Sequence, residues 1–206
     1  MPGTRFMFNT TKTIPGQTIQ LKHKGLWLGQ NSAKTVVRHV VKARCLLSTT
    51  IAAISCGLSR TDKQFADTYF LTNNGPSQGQ METISSKLQL IYQGLSNDIS
   101  LKLGGDGAHG FVVERNSGFG TLHISKKTIL SSEELSVITL IHEASHKFAS
   151  TEDGDAGASV EDSEEMGYRE ADDSGWWEPG LTMDLALNNA DSYAYFAYRV
   201  GTAHGV

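Results

Sequence analysis

Cysteine is scarce in this chain of 206 residues, which contains only Cys45 and Cys56. So few cysteines exclude a disulfide framework. Both lie in one segment with helical periodicity, and their separation of eleven residues corresponds to about 16 Å along an unbroken helix. We therefore expect two free thiols.

Long apolar runs are also missing. No stretch reaches the roughly 18 residues that a membrane-spanning helix needs, so we expect no membrane span. Residues 1–8 lack the apolar core of a secretory signal peptide. We therefore expect either a cytoplasmic protein or one that leaves its cell by another route.

A strong net charge is absent, but the acidic residues are unevenly distributed. The formal net charge is −4, and 39% of the residues are apolar, as in an ordinary soluble domain. Residues 152–173 contain ten of the 22 acidic side chains and a single basic one, Arg169. This segment argues against nucleic-acid binding and permits a basic peptide partner, although a solvated acidic loop has the same composition.

A helix is predicted over about residues 132–149. Ser131 and Glu134 have the spacing of a capping box at its start. From Leu135 to Phe148, apolar residues then recur at helical intervals. This helix is the setting for the clearest chemical motif in the chain.

The motif is His142-Glu143-x-x-His146. Two histidines four residues apart lie on one face of a helix and can bind one metal ion, with Glu143 beside them. A bound zinc ion lowers the pKa of a water ligand from about 16 to roughly 7, and a neighbouring carboxylate can accept the proton. The motif therefore predicts metal-assisted hydrolysis, as of a peptide bond.

Helical periodicity recurs in other parts of the chain. It is clearest from Val36 to Gly57, over residues 81–95 and over residues 181–200, with a shorter helix over residues 63–70. Residues 1–34 differ in composition and are interpreted as an extension that contributes a strand or two, which leaves residues 35–206 as the main domain.

Between these helices the period changes to two. Residues 99–103, 111–114 and 121–125 alternate or carry short apolar runs, separated by glycine-rich turns. They predict a small antiparallel sheet immediately before the metal-binding helix, within a mainly helical α+β fold. His109 and His123 fall in this region and are interpreted as ordinary sheet or surface histidines.

Three motifs carry a family resemblance. Ser150-Thr-Glu-Asp153 follows the two histidines, Asn189-Ala-Asp-Ser-Tyr-Ala-Tyr-Phe196 lies downstream, and Gly120-Thr-Leu-His-Ile-Ser125 precedes the helix. Together they resemble the aspzincin metallopeptidases, the group of deuterolysin and peptidyl-lysine endopeptidase. The resemblance implies a zincin-like fold and a zinc-dependent endopeptidase with one zinc ion. It also implies zinc ligation by His142, His146 and Asp153, with Glu143 as general base.

The third ligand has rivals in the acidic segment. Asp155 lies two residues beyond Asp153, and a glutamate on a following helix can serve the same purpose. The candidate glutamates are Glu164, Glu165 and Glu170.

Two departures from the family pattern concern tyrosine and substrate binding. Where the family has a tyrosine three residues after the aspartate, this chain has Ala156. Tyr168 takes that place if residues 154–166 are an insertion, and would then stabilise the oxyanion; Tyr193 and Tyr195 are substitutes. Lysine-specific members have an acidic residue three positions after the aspartate of Asn-Ala-Asp, where this chain has Ala194.

Asp191 is the aspartate of that Asn-Ala-Asp motif. It is predicted to bind substrate, or alternatively to orient a neighbouring histidine. Because its expected acidic partner is missing, strict lysine specificity is not expected.

The sequence thus predicts a zinc endopeptidase acting on protein or peptide substrates. A non-catalytic, zinc-stabilised binding module and a zinc hydrolase of non-peptide amides are the alternatives. We further expect an exported toxin or effector, with a secretion-system carrier or a cognate inhibitor as a partner.

Overall fold

The computed structural model describes residues 7–24, 30–104, 110–112, 121–153 and 182–206. The strands in these ranges are β1 (Met7–Ile14), β2 (Gln17–Lys24), β3 (Ile99–Leu103), β4 (Gly110–Val112) and β5 (Thr121–Ile124). The helices are α1 (Gln30–Cys56), α2 (Arg60–Phe70), α3 (Gln78–Ser96), α4 (Lys126–Ile129), α5 (Glu133–Ala149), α6 (Met183–Ala186) and α7 (Ala190–Ala203).

The prediction of a mainly helical α+β fold with a small sheet before the motif-bearing helix is confirmed. The sheet has the strand order β1-β2-β3-β5-β4. The predicted antiparallel pairing is confirmed for β4 and β5 and is wrong for β3, which pairs in parallel with both β2 and β5. Long connections allow this: helices α1, α2 and α3 link β2 to β3, and residues 104–120 link β3 to β5. Period-two alternation does not encode strand direction.

The amino-terminal strands belong to this same sheet. β1 and β2 form an antiparallel hairpin around Pro15 and Gly16, where Gly16 has a φ of +76° that suits glycine. The side chains of Gln17, Ile19 and Leu21 on β2 are buried, and those between them are more exposed. The predicted division between residues 34 and 35 stays a prediction, but α1 starts before it.

Two predicted helices are corrected in detail. The residue that caps α5 is Ser132, whose hydroxyl accepts a hydrogen bond from the Leu135 amide, whereas Ser131 donates to the Thr128 carbonyl. The single helix predicted over residues 181–200 is two helices, α6 and α7, in the part that the structure describes. Asn189 separates them because its side chain caps α7 through the Ser192 amide.

Helix α5 is the centre of the helical layer. It packs against α1, α3 and α7 and also contacts β4 and β5. Its residues from Ser136 to Lys147 are all buried, including polar ones. At the contact with α3, Gly94 lies directly under the Phe148 ring, so close that a Cβ atom there would lie 2.2 Å from the ring. Small residues therefore let the helices approach closely around α5.

The two cysteines are not paired with each other, as expected from the sequence. Cys45 and Cys56 are free and exposed on α1. Among the described residues, no single helix is long and apolar enough to cross a membrane. Helices α1 and α2 pass that test of length and composition only as a pair, bent by 113° at the break between them.

Candidate metal centre

His142 and His146 lie one turn apart on α5 and face the same side of the helix. They are 5% and 3% exposed, so neither ring is a surface histidine. Their Nε2 atoms are 3.0 Å apart. Helical spacing alone brings the two nitrogens together, as the sequence predicts.

Asp153 completes a triangle with them. Its Oδ1 atom lies 3.2 Å from His142 Nε2 and 2.9 Å from His146 Nε2. The Asp153 side chain is 42% exposed, far more than the side chain of either histidine. Within the described residues, these are the histidine, cysteine and acidic side chains that come together as a potential metal site.

A sharp turn after α5 brings Asp153 back to the histidines. Ser150 adopts the left-handed conformation with φ +56° and ψ +34°, and its amide donates to the Ser145 carbonyl. This is the helix-ending conformation that glycine adopts most easily, and the aspzincin pattern has glycine at this position. The serine found here adopts this backbone at a conformational cost.

Thr151 connects the turn to α5 through a side-chain hydrogen bond. The Ser145 hydroxyl donates to the His142 carbonyl at 2.7 Å, so it accepts at 2.6 Å from the Thr151 hydroxyl. Both side chains are fully buried. Removal of either hydroxyl would leave a buried polar partner unsatisfied.

A short backbone bridge holds the next residue. The Glu152 amide donates to the Asn188 carbonyl at 2.8 Å, and the Ala190 amide donates to the Glu152 carbonyl at 2.9 Å. This isolated parallel bridge pairs Glu152 with Asn189, at the start of α7. Asp153 is thus held between α5 on one side and the α6–α7 junction on the other.

Hydrogen bonds to the Nδ1 atoms set the orientation of both rings. His146 Nδ1 lies 2.8 Å from the Thr151 carbonyl, which can only accept, so Nδ1 carries a proton and Nε2 faces the triangle. His142 Nδ1 lies 2.6 Å from Asp191 Oδ1. Such outer contacts fix the tautomer and increase the basicity of a ligating histidine.

Electrostatics favours positive charge inside the triangle. Burial alone would lower the pKa of His142, but the carboxylates of Asp191 and Asp153 outweigh it and raise this pKa to about 10. Burial would raise the pKa of Asp153, yet hydrogen bonds from His142 and His146 hold it well below its usual range. Both carboxylates therefore stabilise a cation at this point, whether a proton or a metal ion.

Glu143 lies beside the triangle with one free oxygen. The residue is 2% exposed, and its Oε2 atom has no hydrogen-bond partner among the described residues. Burial raises the pKa of Glu143 to about 7, against the opposing effect of the two histidines. A buried carboxylate oxygen without a donor is costly unless a water, ion or ligand satisfies it.

The residues present fit a divalent zinc ion. Two imidazole nitrogens and one carboxylate oxygen are a common donor set for a catalytic zinc site. Donors bound tetrahedrally at about 2.0–2.1 Å are separated from one another by about 3.3 Å. The observed separations of 2.9–3.2 Å are close to that value.

Two of the three candidate tyrosines, Tyr193 and Tyr195, lie on α7. The Tyr193 hydroxyl donates to the Leu187 carbonyl at 2.8 Å, and the residue is fully buried in the core. Tyr195 stacks on Tyr69, with ring centroids 6.0 Å apart. Tyr168 lies outside the described residues, so its predicted role stays a prediction.

The rival third ligands also lie outside the described residues, and only Asp153 can be placed. They are Asp155, Glu164, Glu165 and Glu170. His109, predicted as an ordinary histidine, also lies outside the described residues. His123 lies on β5 and is 8% exposed. Asp191 contacts His142, the arrangement expected from the alternative interpretation of its role; substrate binding by Asp191 stays a prediction.

Sequence reasoning missed the residues that support the site from outside. Ser145 and Thr151 gave no signal beyond the threonine of the Thr-x-Asp motif. Asn188 and Lys87, which contact each other across the fold, belonged to no motif at all. Such contacts depend on tertiary structure rather than on local spacing.

Comparison with known proteins identifies a shared fold. No protein-family model matches the chain, and no curated protein matches its sequence. The structure is similar to that of a zinc peptidase from Grifola frondosa, with a TM-score of 0.59 and 15% sequence identity. The match covers 82% of this chain and 95% of that one. At this identity the likeness concerns the fold.

Proposed function

We propose that this protein is a zinc-dependent endopeptidase of the aspzincin type. The observation that carries the proposal is the convergence of His142 Nε2, His146 Nε2 and Asp153 Oδ1 within 3.2 Å of one another. The fold shared with a zinc peptidase supports it, as does the buried carboxylate beside the triangle. Neither a structural cluster nor a fold alone would be sufficient support.

The three donors would hold one zinc ion. Zinc bound in this way lowers the pKa of a water molecule to about 7 and polarises the carbonyl group of a substrate. His142 and His146 are held with Nε2 towards the site by Asp191 and the Thr151 carbonyl. The substrate would approach from the side of Asp153, whose side chain is more exposed than either histidine.

Glu143 moves the proton in the reaction. As the water oxygen bonds to the carbonyl carbon, the free Oε2 atom of Glu143 accepts the water proton. The proton then passes to the amide nitrogen as the carbon–nitrogen bond breaks, which yields one carboxylic acid and one amine. Tyr168 is the proposed hydrogen-bond donor to the oxyanion of the tetrahedral intermediate.

Variants of two glutamates on α5 test this mechanism. Glu143→Gln keeps the size of the side chain and removes its basicity, while Glu133→Gln makes the same change on the exposed first turn. We expect Glu143→Gln to bind one zinc ion and to lose about 10²-fold or more in cleavage of an unfolded protein. Glu133→Gln should retain both zinc and cleavage, and His146→Ala should lose both.

A panel of protein, peptide and non-peptide amide substrates separates the endopeptidase from the two alternative functions. Zinc binding without cleavage of any protein or peptide by the wild-type chain would favour a binding module. Cleavage restricted to non-peptide amides would favour a zinc hydrolase of such amides. Undiminished proteolysis by Glu143→Gln would reject the assigned role of this residue. The panel should include peptides with basic residues, because one carboxylate, Asp191, is the proposed substrate contact.

Export as a toxin or effector is also a proposal, with a carrier or cognate inhibitor as partner. It is supported only by the sequence features described above. Fractionation of the producing cells tests it: the protein should be found outside the producer, and its confinement to the cytosol would contradict the proposal.

A further inference from the structure

The third donor of the triangle has no helix of its own. Asp153 follows the turn at Ser150, and the residue before it is tied by two backbone hydrogen bonds to Asn188 and Ala190. The position of the Asp153 carboxylate therefore depends on where the junction between α6 and α7 lies. That junction spans only residues 187–189.

Lys87 contacts this junction from α3. It lies on α3, and its Nζ atom donates to Asn188 Oδ1 at 2.7 Å, across 101 residues of sequence. The same Nζ atom lies 5.7 Å from the centre of the Tyr193 ring, within the range of a cation–π contact. The Tyr193 hydroxyl in turn donates to the Leu187 carbonyl. Side chains from α3 and α7 thus contact two of the three residues of the junction, Asn188 and Leu187.

Asn188 connects the two sets of contacts. Its side-chain oxygen accepts from Lys87, and its backbone carbonyl accepts from the Glu152 amide, next to Asp153. Two hydrogen bonds and the peptide bond between Glu152 and Asp153 therefore connect the Lys87 ammonium to the third donor. The Lys87 side chain is only partly buried, so it does not fill the core as an apolar residue would.

We infer that Lys87 is a positioning residue for Asp153, acting through Asn188 and Glu152. The inference rests on the proposed function, because it assumes that Asp153 is a metal ligand. Lys87 itself does not touch the triangle. Its removal would let the junction shift and would loosen the third donor, while α5 would still carry the two histidines.

Lys87→Met tests the inference, with Lys34→Met as the matched control. Methionine keeps an unbranched side chain and removes the ammonium group, and Lys34 is an exposed lysine on α1. The zinc dissociation constant is measured by competition with a chromophoric chelator. We expect Lys87→Met to raise it by about 10-fold or more, and Lys34→Met to change it by less than about 2-fold. Lys87→Arg, which keeps a cationic donor, should recover most of the affinity.

A spectroscopic measurement separates positioning from general stabilisation. The visible absorption of the cobalt-substituted protein reports the ligands around the metal, and it should change in Lys87→Met but not in Lys34→Met. Wild-type zinc affinity and an unchanged cobalt spectrum in a folded Lys87→Met would overturn the inference, even with a lower free energy of unfolding. Loss of zinc binding in His146→Ala, with wild-type affinity in Lys87→Met, would leave the proposed function intact.

Asn188→Ala provides the second variant if Lys87→Met does not fold. It removes the acceptor and leaves the Lys87 stem in place, so the same loss of zinc affinity is expected. In a double-mutant cycle the two losses should be less than multiplicative, because both break one contact. Independent, multiplicative effects, or wild-type affinity in Asn188→Ala, would contradict the route through Asn188. Wild-type protein that binds no zinc would instead refute the proposed function itself.

Discussion

Asp191 Oδ1 lies 2.6 Å from His142 Nδ1, although 49 residues separate them in sequence. Asp191 stands in the first turn of α7, where Asn189 begins the helix, and its side chain is only 13% exposed. A carboxylate behind a histidine holds the ring in one tautomer with the opposite nitrogen facing inwards. α7 therefore supplies the orientation of a donor that α5 carries.

Asp191→Asn should weaken zinc binding by about 10- to 100-fold, because the amide neither accepts as strongly nor carries the charge that favours a bound cation. Asp184→Asn, an exposed aspartate in the first turn of α6, is the control and should bind zinc like the wild type. Chelator competition measures both. An unchanged zinc affinity together with an altered preference for basic residues would instead assign Asp191 to the substrate.

Ser150→Gly should raise the free energy of unfolding by about 1 kcal/mol, since glycine adopts the left-handed conformation without the penalty of a Cβ atom. Ser48→Gly places the same change inside the right-handed helix α1 and should lower that free energy by about 0.5–1 kcal/mol. Urea titration of the two variants gives both values. A destabilised Ser150→Gly would contradict the assigned backbone conformation.

Gly94→Ala should lower the free energy of unfolding by at least about 1–3 kcal/mol, because the new methyl group would overlap the Phe148 ring. Gly79, near the start of the same helix, has nothing within 4 Å of a built Cβ atom. Gly79→Ala should therefore be neutral or stabilising. Similar free energies for the two variants, measured by denaturant titration, would argue against close packing of α3 on α5.

Asp62→Asn should destabilise the protein near neutral pH and have a smaller effect in acid. Burial would raise the pKa of Asp62, but hydrogen bonds from Ser59 and His204 lower it below its ordinary value of 3.8. A depressed pKa means that the stabilisation is fully present above the unfolded value and is lost as the pH falls through the folded value.

The free energy of unfolding of the wild type and of Asp62→Asn at pH 7 and pH 3 gives the comparison. The difference should be on the order of 1 kcal/mol at pH 7, as for a lost helix cap, and should shrink at pH 3. His204→Gln, which removes one partner, should show part of the effect. A loss of unfolding free energy in Asp62→Asn that is larger at pH 3 than at pH 7 would contradict the lowered pKa of Asp62.

Local spacing explains what the sequence predicts well. His142 and His146 fall on one face because a helix has 3.6 residues per turn, and buried apolar residues mark that helix clearly. Asp153 can reach the two histidines because the chain reverses only a few residues after α5 ends. The sequence predicts it as a ligand because it is the aspartate of the Thr-x-Asp motif. The free cysteines and the positions of β3, β4 and β5 also follow from local pattern.

Long-range contacts explain what the sequence does not predict. Strand direction in the sheet depends on connections through three helices, which alternation cannot reveal. The break between α6 and α7 arises where Asn189 caps a helix and Glu152 pairs with the junction. Apolar periodicity continues through that break, so a single helix was the natural prediction. The role of Asp191 likewise depends on how α7 docks against α5.

Crystals of the zinc-loaded protein, measured at the zinc absorption edge, test the central claim most directly. We expect one strong anomalous peak at about 2.0–2.2 Å from His142 Nε2, His146 Nε2 and an Asp153 oxygen, with Glu143 nearby but unbound. A peak whose third protein ligand is another residue, or the absence of any peak between the two histidines, would contradict the account.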